Sequence, residues 1–167
     1  MPGRYLSGLS GEAIVAFERL VAEAGPLDEA GLRGVFREFV ERRLELAQGF
    51  LDSAKAMPAD DGINSRNAIS RCYYAMHHAG RAVIFSVSKT DVTRHDKVWE
   101  GLPKDFPERR EYQRRLKDWH SLRNKVDYSP YVEPGQSFRA LQQSSLKDTA
   151  EFVQACRQYL KERGVVQ

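Results

Sequence analysis

The chain has 167 residues, 41% hydrophobic and 29% charged, with 26 Lys and Arg against 23 Asp and Glu and a net charge of +3. That balance describes one soluble domain with a single core, and it excludes a disordered chain. So small a net charge is compatible with a nucleic-acid partner but points to one only where positive residues gather locally.

The first element is a predicted helix over 10–24, with Ile14, Phe17, Leu20, Val21 and Ala24 on one face, stopped by Gly25 and Pro26. It carries charge at every turn, unlike the apolar core of a signal peptide. No run in the chain approaches the ~20 apolar residues that cross a bilayer. A cytoplasmic protein without a membrane partner is expected. The two cysteines, Cys72 and Cys156, sit among apolar helical neighbours and read as buried free thiols.

A second helix is predicted over 30–57, with Phe36, Phe39, Val40, Ala47, Phe50, Ala54 and Met57 along one side. Pro58 to Gly62 breaks it. A third follows over 63–86 and carries two stripes. Ile69, Cys72, Tyr73, Met76, Ala79, Gly80 and Val83 form one; Asn67, Arg71, Tyr74, His78, Arg81 and Phe85 form the other. A helix with two contact faces is either central in its bundle or part of a subunit interface. Residues 87–107 read as loop with a short helix at 96–101.

The next predicted helix, 108–126, concentrates positive charge in Arg109, Arg110, Arg114, Arg115, Lys117, Arg123 and Lys125. Such a stretch is either an electrostatic footprint for RNA or a solvated face with internal pairs such as Glu111–Arg115. Its apolar line runs through Tyr112, Leu116 and Trp119 to Arg123 and Val126. Arg123 therefore points inward, where a guanidinium needs partners or a polar cleft. Asp127, four residues on, is one available partner. A last helix is predicted over 135–163, with a seam of Phe138, Leu141, Ser145, Thr149, Phe152, Cys156 and Tyr159. The whole reads as an all-α, antiparallel up-and-down bundle of about four core helices, comprising an N-terminal helical extension (1–29) and a bundle domain (30–167).

The histidines, His77, His78, His95 and His120, show no HExxH or Glu-x-x-His spacing, and the adjacent pair His77–His78 faces two directions. No metal site and no cofactor is expected, and there is no Gly-rich phosphate loop or nucleophile elbow.

Three stretches occur together in order. NAISRCYYAMHHAGRAVIF makes the central helix, a histidine (His95) follows in the loop TRHD, and the basic helix ends in Arg123, Asn124, Asp127 and Tyr128. With a last helix of the type FVxxCRxYL, this set resembles the prokaryotic HEPN-domain proteins over about 30–163. The resemblance implies a helical bundle that forms a homodimer and, in many members, a metal-independent endoribonuclease encoded beside a nucleotidyltransferase as a toxin–antitoxin pair. The nuclease motif of that family is an arginine, four to six residues, then a histidine. Here Arg123 matches the arginine and Asn124 the polar residue after it. The positions for the histidine hold Tyr128, Ser129 and Pro130. Tyrosine, with an ordinary pKa near 10, is a poor substitute as a proton-transfer group.

The resemblance thus implies an RNA- or nucleotide-binding module, with Arg123 and Asn124 as its anion-facing pair. Arg109, Arg110, Arg114, Arg115, Lys117, Arg71, Tyr74, His78, Asp127 and Tyr131 are its candidate contacts. Two alternatives stay open: an active endoribonuclease using Arg123 with His120 or Tyr128, and a structural adaptor in which Arg123–Asp127 is an internal tie. In nucleotidyltransferase-paired relatives a tyrosine near the motif takes AMP. Tyr128 and Tyr131 lie nearby, but Pro130 fills that family's tyrosine slot.

Overall fold

The computed structural model describes residues 29–130 and 137–167. The expected helix at 10–24, and Tyr131, lie outside the described residues. Within them the chain forms α1 (Glu29–Lys55), α2 (Ile63–Ser88), α3 (His95–Gly101), α4 (Arg109–Tyr128) and α5 (Phe138–Glu162), with no strand. The helices expected within the described residues are all present, with ends shifted by a few residues. The most consequential shift is that α4 continues through Tyr128. Pro130 forces extended backbone only on the residue before it, and Ser129 has φ −87° and ψ 125°.

α1 presents Val35, Phe39, Val40, Leu44, Ala47, Leu51 and Ala54 to the core, a three-and-four spacing that keeps one face of a helix inside. Phe36 and Phe39 meet Phe85 at the end of α2, while Ala54 packs on Ala68 and Cys72 near its start. The two helices are therefore antiparallel. The end of α4 returns to the start of α2, where Val126 joins Ile69 and Phe138. α5 runs parallel to α2: Ser65 Oγ donates to Gln142 Oε1 at 2.6 Å, and Thr149 Oγ1 donates to the Cys72 carbonyl at 3.4 Å. The architecture is an up-and-down bundle in which α2 and α5 share the centre and α1 and α4 flank them.

That position explains the two stripes of α2. From Ala79 to Ser86 every residue is buried, because α1, α3, α4 and α5 all pack on this helix. Small side chains permit the crowding. At Gly80 a Cβ atom would stand 2.7 Å from Val98 Cγ1, so the glycine is what lets the short helix α3 lie against α2. Val98, Leu102 and Phe106 then seal that end of the core with Tyr112, Phe152 and Tyr159.

The helix ends are tied by side chains. Asp61 Oδ1 accepts from the Arg139 amide at 3.1 Å and from Ser137 Oγ at 2.8 Å, and Ser137 Oγ accepts from the Ala140 amide at 3.3 Å, which together cap the start of α5. Arg66 closes α4 by donating from Nε to the Val126 carbonyl at 2.8 Å and from Nη2 to the Ser129 carbonyl. No helix among the described residues is long and apolar enough to cross a membrane.

Candidate functional site

The side chain of Arg123, 13% exposed, sits one turn before the end of α4 and faces α2. Its Nη2 donates to the Tyr74 hydroxyl, and its Nη1 donates to Asn124 Oδ1 at 3.0 Å. Its Nε lies 2.8 Å from Asp127 Oδ2, a pairing of charges without hydrogen-bond alignment, so the buried Nε–H has no aligned acceptor among the described residues. Tyrosine rings flank the guanidinium, Tyr74 at 5.1 Å and Tyr128 at 5.5 Å to the ring centres. The tie to Asp127 expected from the sequence is present, and Tyr74 and Asn124 supply further polar partners to the guanidinium. Asp127 also accepts from Ser70 Oγ at 3.2 Å.

Asn124 passes this arrangement on. Because its Oδ1 accepts from Arg123, its Nδ2 is the atom turned to His120, 3.5 Å from Nε2. That contact places a lone pair on His120 Nε2. The His120 ring stacks on His95 of α3 at 4.9 Å and 29°, and lies 5.4 Å from Trp99. His95 in turn faces Tyr73 of α2, whose hydroxyl oxygen is 2.7 Å from Nδ1. Tyr73 is buried and that nitrogen is the one partner of its hydroxyl among the described residues, so the hydroxyl donates and the remaining proton of a neutral His95 sits on Nε2. His77 completes the group, 4.6 Å from His95 between ring centres, with its own Nδ1 buried and unpartnered.

Crowding and burial keep these imidazoles uncharged. Desolvation first, then the neighbouring His95 and Arg81, pull His77 down to about 2. Burial lowers His95, helped by His120 and Arg123; burial and then Arg123 lower His120. Burial also raises the Tyr73 phenol well above its ordinary range. At neutral pH the cluster therefore holds neutral histidines beside one fixed guanidinium. Among the described residues no group of three or more His, Cys, Asp or Glu is arranged to hold a metal ion.

The other expected contacts divide into free and engaged groups. Arg110 and Lys117 are exposed on α4 and have no ion-pair partner among the described residues. Arg109 donates to the carbonyls of Leu102 at 2.7 Å and Glu100 at 3.2 Å. Arg114 bridges Glu111 at 2.7 Å and Asp118 at 2.9 Å. Arg115 spans Glu111 at 2.9 Å and Glu151 of α5 at 2.8 Å. Hydrogen bonds from these two arginines hold the Glu111 carboxyl down to about 2. Much of the basic character of this helix is thus consumed in tying α4 to itself and to its neighbours.

Arg71 is exposed, its guanidinium 5.5 Å from the Phe50 ring. Phe50 stacks on Tyr74 and on His78, at 5.6 and 5.4 Å. His78 Nδ1 is 3.3 Å from Arg43 Nη1. It belongs to a separate buried network, in which Arg43 Nη2 and Arg81 Nη2 each lie 2.7 Å from Asp91 Oδ2. Burial, then Arg43 and Arg81, lower His78 to about 4.

Sequence reasoning placed Arg123, Asn124 and His120 together but left Tyr73, His77, His95 and Trp99 out of the site. The available signals were the four-residue spacing of Tyr73 and His77, which puts both on one face of α2, and the histidine of the TRHD loop. Neither says that three elements bring these rings together.

The family model described as HEPN domain matches residues 40–161, which takes in α2, α3, α4 and nearly all of α5. No curated protein matches the chain.

Proposed function

The chain belongs to the HEPN family, and on that premise we propose that it binds RNA through the Arg123 cluster. One observation carries this reading. A nearly buried guanidinium, held by Tyr74 and Asn124 and paired at its Nε with the part-exposed Asp127, stands in one cluster with His95 and His120. A phosphodiester offers that group a charge-assisted acceptor, and the exposed Arg110 and Lys117 extend the positive surface along α4. The oligomeric and genomic setting implied by the family belongs to the same proposal: a homodimer acting beside a nucleotidyltransferase, as one half of a toxin–antitoxin pair.

The test is RNA binding in EDTA by wild type and Arg123→Ala, read by fluorescence anisotropy, with melting temperature measured alongside. Loss of binding with the fold retained supports the reading. A lowered melting temperature with binding unchanged replaces it with the adaptor, in which Arg123 and Asp127 are only a tie.

A second reading, cleavage, is favoured by the stacked pair His95–His120. The motif positions for histidine hold Tyr128, Ser129 and Pro130, yet two imidazoles from elsewhere in the chain belong to the same cluster as the arginine. His120 Nε2 carries a lone pair suited to removing the 2′-hydroxyl proton. Nε2–H of His95 has no hydrogen-bond partner among the described residues and suits a phosphate oxygen. Cleavage of total RNA in EDTA that disappears in both His120→Ala and His95→Ala supports it; cleavage indifferent to both removes it.

A further inference from the structure

Tyr128 stands where the family motif has a histidine, but its surroundings are not those of a proton-transfer group. It is the most exposed of the large hydrophobic side chains in the described structure, at 74%, and its hydroxyl has no hydrogen-bond partner there. The backbone beneath it is held firmly. Tyr128 is the last residue of α4, the Ser129 amide still donates to the Lys125 carbonyl at 2.9 Å, and Arg66 binds the carbonyls of Val126 and Ser129 on either side. Arg66 is braced in turn over Phe138 at 5.4 Å. Tyr128 lies against the Arg123 guanidinium, 5.5 Å from ring centre to Cζ, and most of its surface still meets solvent.

A large aromatic surface exposed to water on a fixed backbone is pre-organised for another flat group. The identity of that group follows from its neighbour. An anion at Arg123 with a ring at Tyr128 describes one nucleotide: the phosphate on the guanidinium, the base on the phenol. We infer that Tyr128 is a nucleobase platform, and that the site takes a phosphodiester whose adjoining base is unpaired and unstacked. The inference rests on the RNA-binding reading above and adds the subsite that selects the substrate. Inside a duplex the base faces are covered by their neighbours, so the platform discriminates against paired RNA. Stacking uses a face that every base has, so the subsite demands an accessible base and tolerates any sequence.

Binding is measured for three probes: a short oligoadenylate, the same strand annealed to its complement, and an abasic ribose-phosphate chain of equal length. Wild type binds the oligoadenylate most tightly. Tyr128→Ala, at an exposed position where the fold tolerates truncation, weakens oligoadenylate binding roughly tenfold to a hundredfold and leaves abasic binding unchanged. Tyr128→Trp keeps or strengthens it. Arg123→Ala weakens oligoadenylate and abasic binding alike.

Oligoadenylate affinity unchanged in Tyr128→Ala, with Arg123→Ala weakened, overturns the platform and leaves the RNA-binding reading standing. Equal losses on the oligoadenylate and abasic probes in Tyr128→Ala also overturn it, because Tyr128 then acts only by holding Arg123. No binding of any probe by wild type removes both readings.

Discussion

Two regions of this bundle are built from the same side chains and behave differently. In the first, Arg43 and Arg81 close on Asp91 beside His78, with side chains 11%, 7% and 0% exposed. Arg81 grips both carboxylate oxygens, from Nε at 3.1 Å and from Nη2 at 2.7 Å. In the second, Arg123 meets Asp127 beside His120, with side chains 13% and 24% exposed. Here the Nε–H has no aligned acceptor, and the ring nitrogens of His95 and His120 are not all used. A carboxylate sealed from water and gripped by two arginines is a brace. A carboxylate at the rim, against an arginine with a spare donor, can be exchanged for another anion.

The contrast ranks the expected effects. Asp91→Ala should be the most damaging change, costing about 3–5 kcal/mol by leaving two guanidinium groups buried without their carboxylate. Denaturant unfolding measures it, and a loss below about 1 kcal/mol would show the brace to be no more than a surface pair.

Acid should strain both regions. His77 and His78 have native pKa values below the unfolded value near 6.5, so between the two values the unfolded chain binds more protons than the native one. The stability they contribute is intact above about pH 6.5 and is lost as pH falls, levelling off near pH 4 for His78 and near pH 2 for His77. Down to pH 5 each should cost about 2 kcal/mol, at ~1.4 kcal/mol per pH unit. Unfolding curves for wild type, His77→Phe and His78→Phe at pH 7 and pH 5 test this. A pH dependence identical in all three chains would refute the assignment.

Arg123→Ala should do the reverse of Asp91→Ala. It should cost less folding stability than Asp91→Ala, because its ion pair among the described residues is with a part-exposed carboxylate and its removal leaves no second buried guanidinium behind. It should weaken RNA binding tenfold or more, about 1.4 kcal/mol. Equilibrium unfolding and anisotropy on the same preparation separate the two.

The smallest effect has a diagnostic sign. Asp127→Asn removes the resident competitor for Arg123, so RNA affinity should rise a few-fold, on the scale of an exposed ion pair of about 0.2–1 kcal/mol. An affinity that falls instead would make Asp127 a contact for the ligand.

Much of this was legible in the order of residues. The three-and-four spacing marked the four long helices of the described residues, because one turn of helix is set by neighbours in sequence. The same phase turned Arg123 inward along the line Tyr112, Leu116, Trp119. The broad double face of α2 announced either a central helix or a subunit interface, and α2 is central, with the other described helices packed on it. The basic stretch of α4 was harder to read. Arg115 and Glu151 belong to different helices, so the neutralisation of one by the other is invisible until the helices pack.

Residue order alone thus determined the all-α architecture, the HEPN membership and the absence of a histidine from the motif at Tyr128. Tertiary structure decided what stands in its place. His77, His95 and His120 come from three helices and meet because Gly80 lets α3 lie on α2 while α4 crosses beside them. Their protonation, and the spare donor of Arg123, depend on which groups exclude water and which face one another across tens of residues. Helical periodicity is a local property; proton affinity and hydrogen-bond satisfaction are properties of the packed surroundings.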